Sequence, residues 1–186
     1  MLSAAECQAL VAATEARGYV RALLNVGGGR EELRPDVRDS MRCMVDSPEL
    51  ADALLARLRH ALPPAIHGLE LAGLNERLRF LRYDPGQAFA AHRDGSFQRA
   101  RGGPLAGERS LVTVLLYLNA GYEGCRTTFY EDEGLEEGVV PEGGLALEPA
   151  PGLALLHDHS LLHAAPALAA GRKYVLRTDV LYRQPQ

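Results

Sequence analysis

His92 and Asp94 stand two residues apart in "QAFAAHRDG", between the turn signal Asp84-Pro85-Gly86 and a chain-breaking glycine, Gly95. Side chains two apart on a strand project to the same face. The imidazole and the carboxylate are therefore expected to point together, with Ala90 and Ala88 behind them leaving room on that face. Such a pair supplies two of the three ligands in the arrangement that holds ferrous iron while leaving coordination positions open. A histidine followed two positions on by an aspartate is common by chance, so a third ligand is required. Candidates lie in "LLHDHSLLH": His157, His159 and His163. Histidines near a turn also satisfy local backbone groups, and residue type does not choose among the three.

The elements that must position these groups are mostly short strands. They are expected at Ser40–Val45, Leu74–Tyr83, Gln87–His92, Ser110–Leu118, Thr127–Tyr130, Leu145–Leu147, Leu153–His157, Leu161–Ala164 and Lys173–Arg183. Gly/Pro turns separate many of them, as at Gly102-Gly103-Pro104 and Pro149-Ala150-Pro151-Gly152, a pattern that indicates a sandwich or jelly-roll barrel. Two helices precede most of this region. Residues 3–17 place Cys7, Leu10 and Val11 at helical spacing after a capping Ser3. A second helix over 47–61 starts either with a capping box of Asp46 and Glu49 or with Ser47 as cap and Pro48 in the first turn. The stretch "NVGGGREELRPDVRDS" between the helices reads as a long loop, and its glycine run lacks the lysine and context of a phosphate cradle. In the last strand Lys173, Val175, Arg177 and Asp179 share one face, and Tyr174, Leu176, Thr178, Val180 and Tyr182 the other. The second face is expected to pack on helices or a second sheet. On composition alone the first is expected to meet water.

A chain of 186 residues suffices for one domain with a sizeable core. We expect residues 1–73 to supply helical support and loops, and residues 74–186 the β core. The net charge of −4 disfavours nucleic-acid binding, and the absence of a long apolar run disfavours membrane insertion. Three cysteines with no CxxC spacing fit reduced thiols, hence a cytoplasmic location. Nineteen of the twenty basic residues are arginine; the single lysine is Lys173.

Several independent spacings resemble the iron(II)- and 2-oxoglutarate-dependent dioxygenases, in their prolyl 4-hydroxylase-like branch. Tyr83 lies nine residues before His92, and His163 ten before Lys173, with Gly171 in the family's place in "HAAPALAAGRK". "LVTVLLYLN" is similar to the family strand whose tyrosine, here Tyr117, helps hold the cosubstrate. "GYEGCRTTFY" resembles its "GGxTxF" segment, with Cys125 at the second glycine. The resemblance covers about residues 74–183.

The resemblance implies a mainly β fold with supporting helices, a double-stranded β-helix (jelly-roll or cupin-like barrel). It implies Fe(II) held by His92, Asp94 and His163, with His157 and His159 left as turn residues or supports of the ligands. 2-Oxoglutarate would chelate the iron and pair its far carboxylate with Lys173 and Tyr117, with Tyr83 or Thr127 nearby; Arg177 competes with Lys173 because both lie on one face. The implied reaction uses O2, with ascorbate as a possible reductant. It hydroxylates an unactivated C–H bond and releases succinate and CO2. The substrate is then a prolyl residue of a protein or peptide, or a small metabolite. The long loop "GSFQRARGGPLAGER" suits a lid. Arg93, Arg99 and Arg101 are candidates to meet an acidic group on the substrate, against the plainer reading of solvated loop arginines. A different class remains open: a non-catalytic β-barrel that senses 2-oxoglutarate or binds a partner.

Overall fold

The computed structural model describes all residues except 28–29, 101–102, 104, 132–137 and 186. Its principal elements, in chain order, are α1 (Ala4–Arg17), β1 (Met41–Asp46), α2 (Pro48–Leu58), β2 (Leu69–Leu74), β3 (Arg77–Tyr83), β4 (Phe89–His92), β5 (Arg109–Tyr117), β6 (Thr128–Phe129), β7 (Leu145–Ala146), β8 (Ala154–Asp158), β9 (His163–Ala165) and β10 (Lys173–Arg183). Among the described residues no helix is long and apolar enough to cross a membrane.

Both helices start where their capping residues dictate. Ser3 and Glu6 form a reciprocal capping box at α1. At α2 the cap is Ser47, whose hydroxyl accepts from the Leu50 amide, with Pro48 opening the helix; Asp46 instead closes β1. A side-chain acceptor at this position satisfies an amide that has no partner within the helix.

The long strand β10 organises the main antiparallel sheet. One edge pairs with β3 through Lys173–Arg177 and with β2 through Val180–Arg183; the other pairs with β5, and β5 with β8. β1 adds to the far edge of β3, so the segment before residue 74 contributes a strand as well as the helices. A smaller antiparallel sheet has the order β7–β6–β9–β4. The architecture is the mainly β, jelly-roll type with two supporting helices.

Alternation along β10 decides where everything else goes. Tyr174, Leu176, Val180 and Tyr182 pack with Leu54 and Leu58 of α2, Cys7 of α1 and Phe80 of β3 in the principal core, as their apolar character requires. The opposite face is not the solvated one that composition favours. Lys173, Val175 and Asp179 are buried, and Arg177 is mostly so. They face the interior, where Arg177 lies against Asp179 and Lys173 donates to the Cys125 carbonyl, since a charge is buried only with a partner.

Other differences have local causes. The expected strand Leu74–Tyr83 is two strands, because Asn75 and Glu76 break it. The buried Asn75 uses its amide on Asp179 O, its carbonyl on the Thr178 hydroxyl and its side chain on the Arg77 amide. The stretch expected as loop before β1 contains the hairpin Leu24–Gly27/Arg30–Glu32. Gly124, with φ +79°, passes so close to the chain opposite that a Cβ would meet Ala167 O at 2.6 Å; glycine is required there. Cys125 follows in the left-handed region at φ 51°, and its carbonyl accepts from Lys173 Nζ.

Candidate metal centre

Pairing between β4 and β9 sets His163 directly opposite His92, which brings the two rings to 4.3 Å between centroids. Asp94, just beyond β4, is fastened by its amide to His159 O. His92, Asp94 and His163 each offer a donor atom, all within 4.8 Å of one another.

The chemistry of these donors suits a cation. Nδ1 of His92 lies 2.8 Å from Ala90 O, and Nδ1 of His163 lies 2.9 Å from Leu161 O. A carbonyl oxygen only accepts, so each Nδ1 carries the proton and each Nε2 is left with a free lone pair. Burial, then the neighbouring His163, holds His92 down to about 3. Burial likewise lowers His163, against the pull of Asp94. Both rings are therefore neutral near pH 7, the state in which imidazole binds metal. Burial works to raise the Asp94 carboxyl, but Arg177, His163 and His92 together with the Thr113 hydroxyl hold it well below the ordinary carboxylate range. Thr113 donates to Asp94 Oδ2 at 2.5 Å, and Arg177 Nη2 reaches Oδ1 at 2.9 Å.

Depressed histidine values make stability pH-dependent. An imidazole that titrates near about 3 when folded and at about 6.5 when unfolded leaves the unfolded chain to take up the proton first as pH falls. Its contribution is complete above about pH 6.5 and drains away between there and about pH 3, with a slope up to about 1.4 kcal/mol per pH unit for one such group. The metal-free protein should show its urea midpoint falling steadily from pH 7 to pH 5; a flat profile would contradict neutral, buried imidazoles.

Alternation is broken beneath His92. Three residues of β9 (His163 to Ala165) oppose four of β4 (His92 back to Phe89), so a bulge puts the Phe89 ring parallel to His92 at 3.5 Å. The space expected behind Ala88 and Ala90 is thus filled by an aromatic ring that simple i, i+2 counting assigns to the other face.

Deeper in, Lys173 pairs in register with Tyr83 and is 2% exposed. Its ammonium donates to Cys125 O at 2.6 Å and lies 5.3 Å from the Tyr83 ring and 5.7 Å from that of Tyr117. Burial pulls its pKa down, and no carboxylate among the described residues pairs with it. Tyr117 donates to Thr127 Oγ1 at 2.6 Å, and burial pushes both Tyr83 and Tyr117 up to about 12. A buried ammonium with one carbonyl partner, among neutral hydroxyls, has the chemistry to pair with a small anion.

Arg177 sits on the same strand face but serves the other end. Besides Asp94 it approaches Asp179 Oδ1 at 3.2 Å, and Asp179 also takes Arg79 at 3.0 Å. Burial lowers the guanidinium, but Asp179 and Asp94 outweigh it and the net shift is upward. A narrow inner pocket beside Lys173 shares Arg38, Leu81, His92, Asp94 and Arg177 with a wider outer cleft.

Neither a family model nor a curated protein matches the sequence. Solved structures do. The viral collagen prolyl hydroxylase of Paramecium bursaria Chlorella virus-1, described as a 2-oxoglutarate (2OG) complex, is 22% identical with TM-score 0.64, covering 97% of this chain and 91% of its own. A prolyl-4-hydroxylase of Pseudomonas putida is also 22% identical at TM-score 0.64, covering 100% and 89%. A Trichoplax adhaerens prolyl hydroxylase, bound to a hypoxia inducible factor peptide fragment, is 16% identical at TM-score 0.69, covering 95% and 77%. The fold is that of the prolyl hydroxylases.

Within this prolyl hydroxylase fold the sequence-derived candidates divide. His92, Asp94 and His163 converge, as do Lys173, Tyr83, Tyr117 and Thr127. His157 is buried beside them, with Nδ1 on Asp158 O and Nε2 3.8 Å from Asp94 Oδ2; His159 lies 3.8 Å from Asp179. Arg93 borders the outer cleft. Arg99 does not: Glu76 and Glu108 hold it, which makes it a scaffold residue. Arg101 lies outside the described residues.

Sequence reasoning missed Thr113, which shares a strand face with Tyr117 and was legible from alternation in "LVTVLLYLN". It also missed Phe89 and Arg38, which carry no sequence signal of their own.

Proposed function

We propose that this protein is an Fe(II)- and 2-oxoglutarate-dependent dioxygenase that hydroxylates an unactivated C–H bond. The carrying observation is the His92–Asp94–His163 cluster, its donor atoms within 4.8 Å of one another, with both Nδ1 protons committed to backbone carbonyls and His92 Nε2 3.9 Å from Asp94 Oδ1.

His92 and His163 would hold the ion through Nε2 and Asp94 through its carboxylate. Lys173 would bind the far carboxylate of 2-oxoglutarate, with Tyr83, Tyr117 and Thr127 as neighbouring hydroxyls. Iron with 2-oxoglutarate and O2 supplies oxidative decarboxylation to succinate and CO2 coupled to oxygen insertion into a C–H bond. The chain's own part is positional. Backbone carbonyls orient the imidazoles, Thr113 and Arg177 fix the carboxylate, and the apolar walls of Leu81, Phe89, Leu115 and Val175 keep water from the inner pocket. Residues 1–73 would act as support and 74–186 as the catalytic core. Three free, buried cysteines favour a reducing compartment, hence the cytoplasm. The substrate would be a prolyl residue of a peptide, as the Trichoplax neighbour's bound peptide suggests by analogy, or a small metabolite in the outer cleft.

Purified protein given Fe(II), ascorbate and 2-oxoglutarate should form succinate slowly without added substrate. Binding of iron and 2-oxoglutarate with no succinate formed would reject the enzyme in favour of a sensor or partner-binding barrel.

A further inference from the structure

Like Lys173, Arg38 lines the site with no carboxylate partner among the described residues. It borders both the inner pocket and the outer cleft. An isolated bridge sets its backbone opposite Phe89, and its guanidinium lies 4.8 Å over that ring, which in turn stacks on His92. Nε donates to Ser40 Oγ at 3.3 Å. The other arginines of the cleft whose contacts are described all have carboxylates: Arg42 has Glu31, Arg79 has Asp179, and Arg177 has Asp94 and Asp179. Arg38 has none among the described residues. Burial lowers its pKa; Tyr83 and, more weakly, the Asp94 carboxylate pull the other way, while Arg177 and Arg42 add like charge.

A half-buried cation with like-charged neighbours and no counterion is costly unless a ligand supplies the negative charge. We propose that Arg38 binds a carboxylate of the substrate in the outer cleft, one aromatic ring away from His92. Two features favour a carboxylate over a phosphate. With Nε committed to Ser40, the two terminal nitrogens form a fork that matches a planar carboxylate. One unmatched cation also balances one negative charge, whereas a phosphate monoester carries nearly two. The cosubstrate's far carboxylate has its own receptor at Lys173, so the charge at Arg38 is a second one. The substrate is then a carboxylic acid, either a free amino acid or a peptide with an acidic side chain near the reacting carbon. This rests on the oxygenase reading and narrows its substrate class.

The test uses the whole chain loaded with Mn(II) and 2-oxoglutarate, so that nothing turns over. Calorimetric titration would compare L-proline, L-leucine and L-isoleucine with their amides, and a proline-containing peptide bearing aspartate with its asparagine twin. At least one acid should bind more than tenfold tighter than its amide partner. Arg38→Gln should erase that preference and Arg38→Lys retain part of it, with 2-oxoglutarate affinity within about twofold in both. Preference among the amino acids identifies a small-molecule carboxylate, and preference in the peptide pair an acidic side chain. The proposal is overturned if no pair shows a preference, if the preference survives Arg38→Gln, or if that variant loses 2-oxoglutarate instead. Failure of Mn(II) or 2-oxoglutarate itself to bind would sink the oxygenase reading along with it.

Discussion

Replacing His163 with alanine should lower iron affinity by more than about 100-fold and bring succinate formation to background, with the same result for His92→Ala. Even groups that only orient metal ligands typically cost 10–100-fold in affinity or activity, so removing a ligand outright exceeds that. The two imidazoles face each other across β4 and β9, and no other described group satisfies the same donor geometry. His157 provides the internal control. It is as buried as His163, but its Nε2 faces Asp94 Oδ2, the oxygen already taken by Thr113. His157→Ala should therefore leave most of the iron affinity in place. Calorimetry with Fe(II) under anaerobic conditions reads both outcomes. Equal loss from His157→Ala and His163→Ala would move the third ligand to position 157.

Lys173→Ala should raise the dissociation constant for 2-oxoglutarate by about 30-fold or more. Stripping one partner from a buried, hydrogen-bonded charge pair costs about 2–5 kcal/mol, and each 1.4 kcal/mol is tenfold. The stability of the ligand-free protein should move in the opposite sense or hardly at all, because Lys173 is buried without a carboxylate and its removal takes away a desolvated charge. Arg177→Ala should invert this pattern. It would leave Asp94 and Asp179 with uncompensated charge and lower the melting temperature, with the smaller effect on 2-oxoglutarate. Competition binding and thermal unfolding on the two variants separate these outcomes. A larger loss of 2-oxoglutarate from Arg177→Ala would reassign the anchor.

How far such a site can be read before folding depends on the range of the forces involved. Strand β10 was legible at both ends, because it runs between a glycine turn and the tail, even though its register shifts near Leu181. The inward turn of Lys173, Arg177 and Asp179 was not. Charge on a strand ordinarily indicates water, and only the partners brought by the Cys125 carbonyl, Asp94 and Arg79 make burial tolerable. Asn75 was hidden for a related reason, since its role as a strand breaker appears only once Asp179 and Thr178 lie beside it. The third histidine could not be chosen from residue type, because the choice is a matter of cross-strand register. Arg38 lay in a charged stretch that reads as a solvated loop. Its importance comes from the bridge to Phe89 and from a bulge that turns Phe89 under His92.

The face-to-face placement of His92 and His163 also bears on how the apoprotein behaves. Their ladder is very short, and a slip of one residue along it would turn one imidazole outward. An ion gripped from both sides rivets two chain segments that are remote in sequence, and its binding free energy adds to the folded state alone. A cell starved of iron would then hold not merely an idle catalyst but a looser molecule, one whose smaller sheet opens first to proteases.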